Sequence, residues 1–277
     1  MKTLSDQILD IGATAPKKMT PWQWAGLAMI ALIVLFGLVA PLAAGDPLVQ
    51  DLDHVMNKPC ATSPLGTDHL GRSMLARLGH AARLSLLLAA LSVITAAIPG
   101  AVLGVAAAWR ARWTDTMLSA LADCVLALPG LLFIVLLTAF APGRFWPFYV
   151  GLSVALWVEY FRVVRAASQT LLRSPQVEAS RMLGFGPVYI VRRHLLPELI
   201  SILRTLMTFG AATSVLSLAA LGLVGVGLRP PTPELGTMMI ELLPHYQEAP
   251  WLVAEPILVL LLAVTGLALV AGEREFR

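Results

Sequence analysis

The chain has 277 residues, 57% of them hydrophobic and 13% charged, with a mean hydropathy of +0.77. Those values lie outside the range of soluble globular chains and identify an integral membrane protein. The net charge of +3 and the pI near 9.1 do not point to nucleic acid, because the cations sit beside apolar runs and no basic patch is interleaved with aromatics.

Residues 1–21 form a polar segment containing acids, with Lys17 and Lys18 just ahead of the first apolar run. That is wrong for a cleaved signal peptide, so the first span, 22–44, is expected to stay in the mature protein with a cytoplasmic N-terminus. A polar outer loop follows over 45–83, then spans over 84–108, 117–140, 145–163, 199–226 and 251–270, six in all. The five-helix core thus covers 84–272, with a cytoplasmic loop at 164–198, an outer loop at 227–250 and a short cytoplasmic tail at 273–277. With the N-terminus inside, six of the twenty Lys and Arg fall outside, namely Lys58, Arg72, Arg77, Arg83, Arg144 and Arg229. The asymmetry agrees with cation retention in the cytoplasm, although the run Arg72, Arg77, Arg83 goes against it.

In the first outer loop, Gly66 and Gly71 permit turns, and Asp68 and Arg72 are close enough to pair. As a surface turn that pair is worth about 0–1 kcal/mol. In the second span Gly100 and Gly104 make a GxxxG after Pro99, which lets another helix approach where no hydrophobic drive holds helices together; packing is preferred to a role in the pathway. The same reading covers Gly222 and Gly225. Asp123 in the third span is an ionisable group among apolar residues, and pairing between helices is preferred to substrate contact. Gly151-Leu152-Ser153 in the fourth span lacks a histidine on any later span to activate a serine, and neither HExxH nor a P-loop occurs. Cys60 and Cys124 form no CxxC, metal set or disulfide framework.

The most informative stretch is basic and runs from Arg162 to Pro197. Ser174-Pro175 starts a helix, Gly184 ends it in a left-handed conformation, and Gly186-Pro187 starts a second that lasts to Pro197. Two short helices hinged at 184–186 cannot span a bilayer, but they suit a partner's groove. The last outer loop, 227–250, is too rich in proline to face lipid, so it lies over the mouth of the bundle or enters it.

Glu178-Ala179-Ser180, three residues, Gly184, nine residues and His194-Leu195-Leu196-Pro197 resemble the EAA loop of ABC importer permeases. LGTDHLGR at 65–72, RLGHAARLSL at 77–86 and the segment from Gly222 through Pro233 to Trp251 are similar to its oligopeptide, dipeptide and nickel branch. Departures are Ser73 for an acid, Leu235 for a tryptophan, and the short tail. The resemblance implies an all-α fold, that of the type I importer permeases, six transmembrane helices with a cytoplasmic coupling-helix loop. It further implies a paralogous permease subunit as heterodimer partner, two cytoplasmic ATPases that hold ATP and magnesium, and an extracytoplasmic substrate-binding protein. This chain itself would hold no cofactor or metal and hydrolyse nothing. Glu178, Ala179, Ser180, Arg181 and Gly184 would form the knob that enters an ATPase groove, and Leu196 and Pro197 would root it to the fifth span. The substrates implied are small peptides, nickel or metal chelates. A secondary carrier or channel is the alternative, but no internal repeat is visible and only Asp123 and Glu159 would line a path.

Overall fold

The computed structural model describes residues 19–110 and 113–272. The lysine pair at 17–18, Arg112 and the tail 273–277, all used in the topology reading, lie outside the described residues.

Helix α1 spans Pro21–Ala44 and begins on a capping box: the Gln23 amide donates to Thr20 Oγ1 at 3.4 Å, and the Thr20 amide donates to Gln23 Oε1 at 3.2 Å. Helix α2, Met74–Arg110, is 37 residues long and starts ten residues earlier than the expected span. At 1.5 Å per residue it measures about 55 Å, against roughly 30 Å of hydrocarbon, so its first turns stand outside the apolar layer and carry Arg77, His80 and Arg83. Those charges are what made the segment read as loop.

The expected third span is not one helix. It consists of α3, Trp113–Leu126, and α4, Gly130–Phe140, bent by 73° with respect to each other. Pro129 sits in the break, and a proline disfavours helical backbone in the residue before it. Helix α5, Phe145–Leu172, runs nine residues past the expected end. Helix α6 is Pro175–Met182, and α7, Pro187–Ile190, is not the separate short helix expected. It continues through a π turn at Val191–Leu195 into α8, Leu196–Leu223. Helix α9, Leu235–Leu242, lies within the last long loop, and α10 is Pro250–Ala271. Among the described residues five helices are long and apolar enough to cross a membrane, six if the bent pair counts as one span, and there is no strand.

The centre of the bundle is the contact of α2 with α5. A Cβ on Gly100 would come within 2.8 Å of Tyr160 Cβ, and one on Gly104 within 3.0 Å of the Arg165 nitrogen. Both glycines therefore let the two backbones touch, the packing that small residues provide between helices in lipid. Gly225 plays no such part: its φ is +79° and a Cβ there would meet nothing within 4 Å. The loops 45–73, 141–144 and 224–249 share one end of the bundle, and the 173–186 turn occupies the other.

Candidate functional site

The turn at 173–186 is fixed largely by backbone. Ser174 is extended and Pro175 opens α6, but the serine side chain makes no cap; its carbonyl accepts from the Val177 and Glu178 amides at 3.0 and 3.1 Å. At the other end Gly184 has φ +82°, its amide donates to the Arg181 carbonyl at 3.0 Å, and the Phe185 amide donates to the Ser180 carbonyl at 3.1 Å. These two bonds make a Schellman closure, which requires a left-handed residue at 184.

One face of α6 is anchored. Val177 is fully buried with Ile190, Leu195 and Leu199 in a cluster that includes Val164 and Leu172. Ser180 adds a polar tie: its hydroxyl donates to the Gln176 carbonyl at 3.0 Å, and His194 Nε2 lies 2.9 Å from the same oxygen. With the serine proton engaged on a carbonyl, the imidazole donates to Oγ. The pair is a strut between α6 and the root of α8, not an activated nucleophile. Arg181 lies over the Trp109 ring at 5.8 Å. Leu196 and Pro197 open α8 with Leu196 46% exposed, so the apolar anchoring falls to Leu195 and Leu199 instead.

The opposite face is uncovered. Glu178, Ala179 and Arg181 are exposed, and Met182 and Leu183 are 91% and 75% exposed at the tip. An anchored helix with an apolar tip flanked by one acid and one base is a surface built to be covered.

At the other end of the bundle the structure shows what the sequence concealed. Asp68 and Arg72 do not form a weak surface pair but lie fully buried in a closed ring with Arg77 and Glu241. Asp68 accepts from Arg72 Nε at 2.6 Å and from Arg77, while Glu241 accepts from the second nitrogens of both arginines. The Leu70 and Arg72 amides also donate to Asp68, at 2.8 and 2.9 Å. Burial alone would raise the Asp68 carboxyl, but Arg77, these amides and Arg72 outweigh it and hold it below the usual carboxylate range. Glu241 is held low by the same guanidiniums against the same cost of burial. The ring ties the 65–73 loop to α2 and α9, and the stacked His69 and His245 rings, centroids 5.2 Å apart, lie beside it. Two of the three arginines that went against the charge asymmetry were the available signal for it.

Glu234, also fully buried, caps α9 by accepting from the Gly236 and Thr237 amides at 2.9 and 2.8 Å. A Cβ on Gly222 would lie 2.4 Å from its carboxylate, so that glycine makes room for the cap. Asp123 accepts from Arg162 on α5, with both side chains at least half exposed, and Asp115 accepts from Arg165. These two pairs clip the bent segment to α5. The structure does not bring Asp123 near the EAA residues.

Residues 100–272 match the family model described as binding-protein-dependent transport system inner membrane component. The chain is 36% identical over 251 residues to the di/tripeptide transport system permease protein DppC of Pseudomonas aeruginosa, covering 88% of this chain and 83% of that one. It is 32% identical to the dipeptide transport system permease proteins DppC of Haemophilus influenzae (85% and 82% covered) and of Escherichia coli K12 (91% and 90%).

Proposed function

The chain belongs to the family of binding-protein-dependent transport system inner membrane components, and on that basis we propose that it is one of two permease subunits of an ATP-driven importer of short peptides. The observation that carries the mechanism is α6: a capped, one-sided helix whose buried face is fastened to α5 and to the root of α8. Its exposed tip enters a groove of a cytoplasmic ATPase, which holds the ATP and magnesium. Because Leu195, Leu199 and the Ser180–His194 strut join that helix to α8, displacement of the tip is passed to a spanning helix rather than absorbed in a loop. Closure of two ATPases on the tips of two permeases then rocks the bundle between its inward and outward states. A binding protein delivers peptide to the end bearing the 45–73 loop and α9. The relatives that the chain matches are described as di/tripeptide and dipeptide transport permeases, so peptide is favoured over nickel as the transported species.

Reconstitution tests this reading. Vesicles holding this chain with its partner permease, both ATPases and the binding protein should accumulate di- and tripeptides with ATP, whereas the purified chain alone should hydrolyse none. ATP hydrolysis by the isolated chain, or a complete complex that moves no peptide, refutes it. Orientation has its own test. A cysteine at Arg173, which is exposed, should be protected from an impermeant thiol reagent in intact cells, while the exposed native Cys60 should react where its loop is reached. Labelling at 173 with protection at 60 would put the tip on the side without ATP and overturn the assignment.

A further inference from the structure

Of the three arginines crowded on 72–83, two are neutralised by the buried ring, and Arg83 has no carboxylate partner among the described residues. It lines a cavity of about 390 Å³ at the end of the bundle that carries the 45–73 loop, within the roughly 300–1,000 Å³ typical of small-molecule sites. His80 stands one turn before it on α2 and Leu87 one turn after, while Phe145 from the start of α5 and Thr232 and Pro233 from the loop after α8 complete the walls. Among the described residues no acid lines the cavity. Glu234, next to Pro233 in sequence, is buried with both oxygens committed to backbone amides. His80 Nδ1 lies 2.9 Å from the Ala76 carbonyl, an oxygen that can only accept, so Nδ1 is the donor there and the tautomer with a bare Nε2 presents that nitrogen as an acceptor.

The cavity opens on a face of α2 that none of the described residues covers. Leu87, Leu91, Ile94, Ile98 and Val102 recur at helical spacing with exposures of 44–63%, and Val102 also lines a second cavity of about 530 Å³ beside Trp109 at the other end. The uncovered face therefore joins a cavity at each end of the bundle. Resting on the peptide-importer reading, we propose that the cavity at His80 and Arg83 is the entry subsite for peptide, where Arg83 takes the terminal carboxylate and His80 Nε2 accepts from a peptide N–H. The guanidinium fork matches a carboxylate. With no acid in the walls, the amino end is not recognised here.

The test uses the whole importer complex in nanodiscs, in a Cys60→Ser, Cys124→Ser background carrying Thr232→Cys, and follows the rate of thiol modification. Trialanine and N-acetyl-trialanine slow the reaction, while trialanine amide needs about tenfold more, the scale on which removing a charged hydrogen-bond partner acts. Arg83→Gln raises the protecting concentration of both acids about tenfold and leaves the amide unchanged, and Arg83→Lys keeps part of the preference. Equal protection by acid and amide, protection unaltered in Arg83→Gln, or no protection by any peptide overturns the site. Protection that follows the content of anionic phospholipid rather than added peptide also overturns it, assigning Arg83 to a headgroup. Phe145→Cys gives the same readout if Thr232→Cys prevents assembly. Peptide uptake by the same complex separates the two readings: uptake without protection removes the subsite alone, and absence of uptake removes the importer reading.

Discussion

Gly184→Pro is expected to abolish peptide uptake while leaving the chain in the membrane. Proline fixes φ near −65°, whereas residue 184 sits at +82°, and it removes the amide that donates to the Arg181 carbonyl. Both halves of the Schellman closure depend on that residue, so the tip formed by Met182, Leu183 and Phe185 is re-aimed even though the spanning helices keep their packing. Gly184→Ala separates shape from bulk. A Cβ at 184 meets nothing within 4 Å, so alanine suffers only the left-handed backbone, about 1 kcal/mol, and should retain much of the transport. Glu178→Lys approaches the same surface by charge. Glu178 is exposed and its side chain has no hydrogen bond or ion pair among the described residues, so reversal should leave the chain's own stability intact and act on the ATPase contact, uncoupling or detaching it. Uptake and copurification of the ATPase measure both effects. Normal values for Gly184→Pro and Glu178→Lys together would remove α6 from the coupling mechanism.

The turn was legible because its signals are local. Pro175, Gly184 and Pro187 state their backbone requirements within a dozen residues, and the spacing to Leu196-Pro197 carries the resemblance. The GxxxG at Gly100 and Gly104 was legible for the same reason. What stayed hidden depends on distance in sequence. Nothing near Arg77 announces Glu241, 164 residues away, and without that partner the 74–83 segment reads as a charged loop rather than the first turns of α2. The strut between Ser180 and His194 is hidden for the same reason, since no local pattern pairs a serine on α6 with a histidine fourteen residues on, across the turn. The break at Pro129 was missed because an apolar run long enough to cross the bilayer looks continuous whether or not its backbone is; periodicity records which residues are apolar, not the direction of the axis.

Asp68→Asn is expected to be the most destabilising single change at the opposite end of the bundle. In the ring each arginine donates to both carboxylates, so the four charges balance, with Asp68, Arg72 and Arg77 buried and Glu241 partly exposed. Neutralising Asp68 leaves two buried guanidiniums with Glu241 alone, and removing one partner from a buried ion pair costs about 3–5 kcal/mol. That is a large part of the roughly 5–15 kcal/mol that holds an ordinary domain together, so the complex should melt far lower or fail to accumulate. Asp68→Asn combined with Arg77→Gln should lose less than the two single changes added, because the pair shares its interaction. The pH dependence has a definite sign. The folded Asp68 carboxyl is held below its unfolded value of about 4, so its contribution is present above that pH and is lost as pH falls through the lower folded value. Glu241 adds to the same window from the same direction. Melting of the detergent-solubilised complex should therefore change little from pH 7 to 5 on account of the ring and fall steeply below pH 4, and this acid limb should be weakened in any Asp68→Asn complex that can be recovered. An Asp68→Asn complex with the parent's melting temperature and acid limb would mean that water or lipid, rather than the ring, holds the 65–73 loop against α9, and that this loop is free to move without disturbing the long helix beneath it.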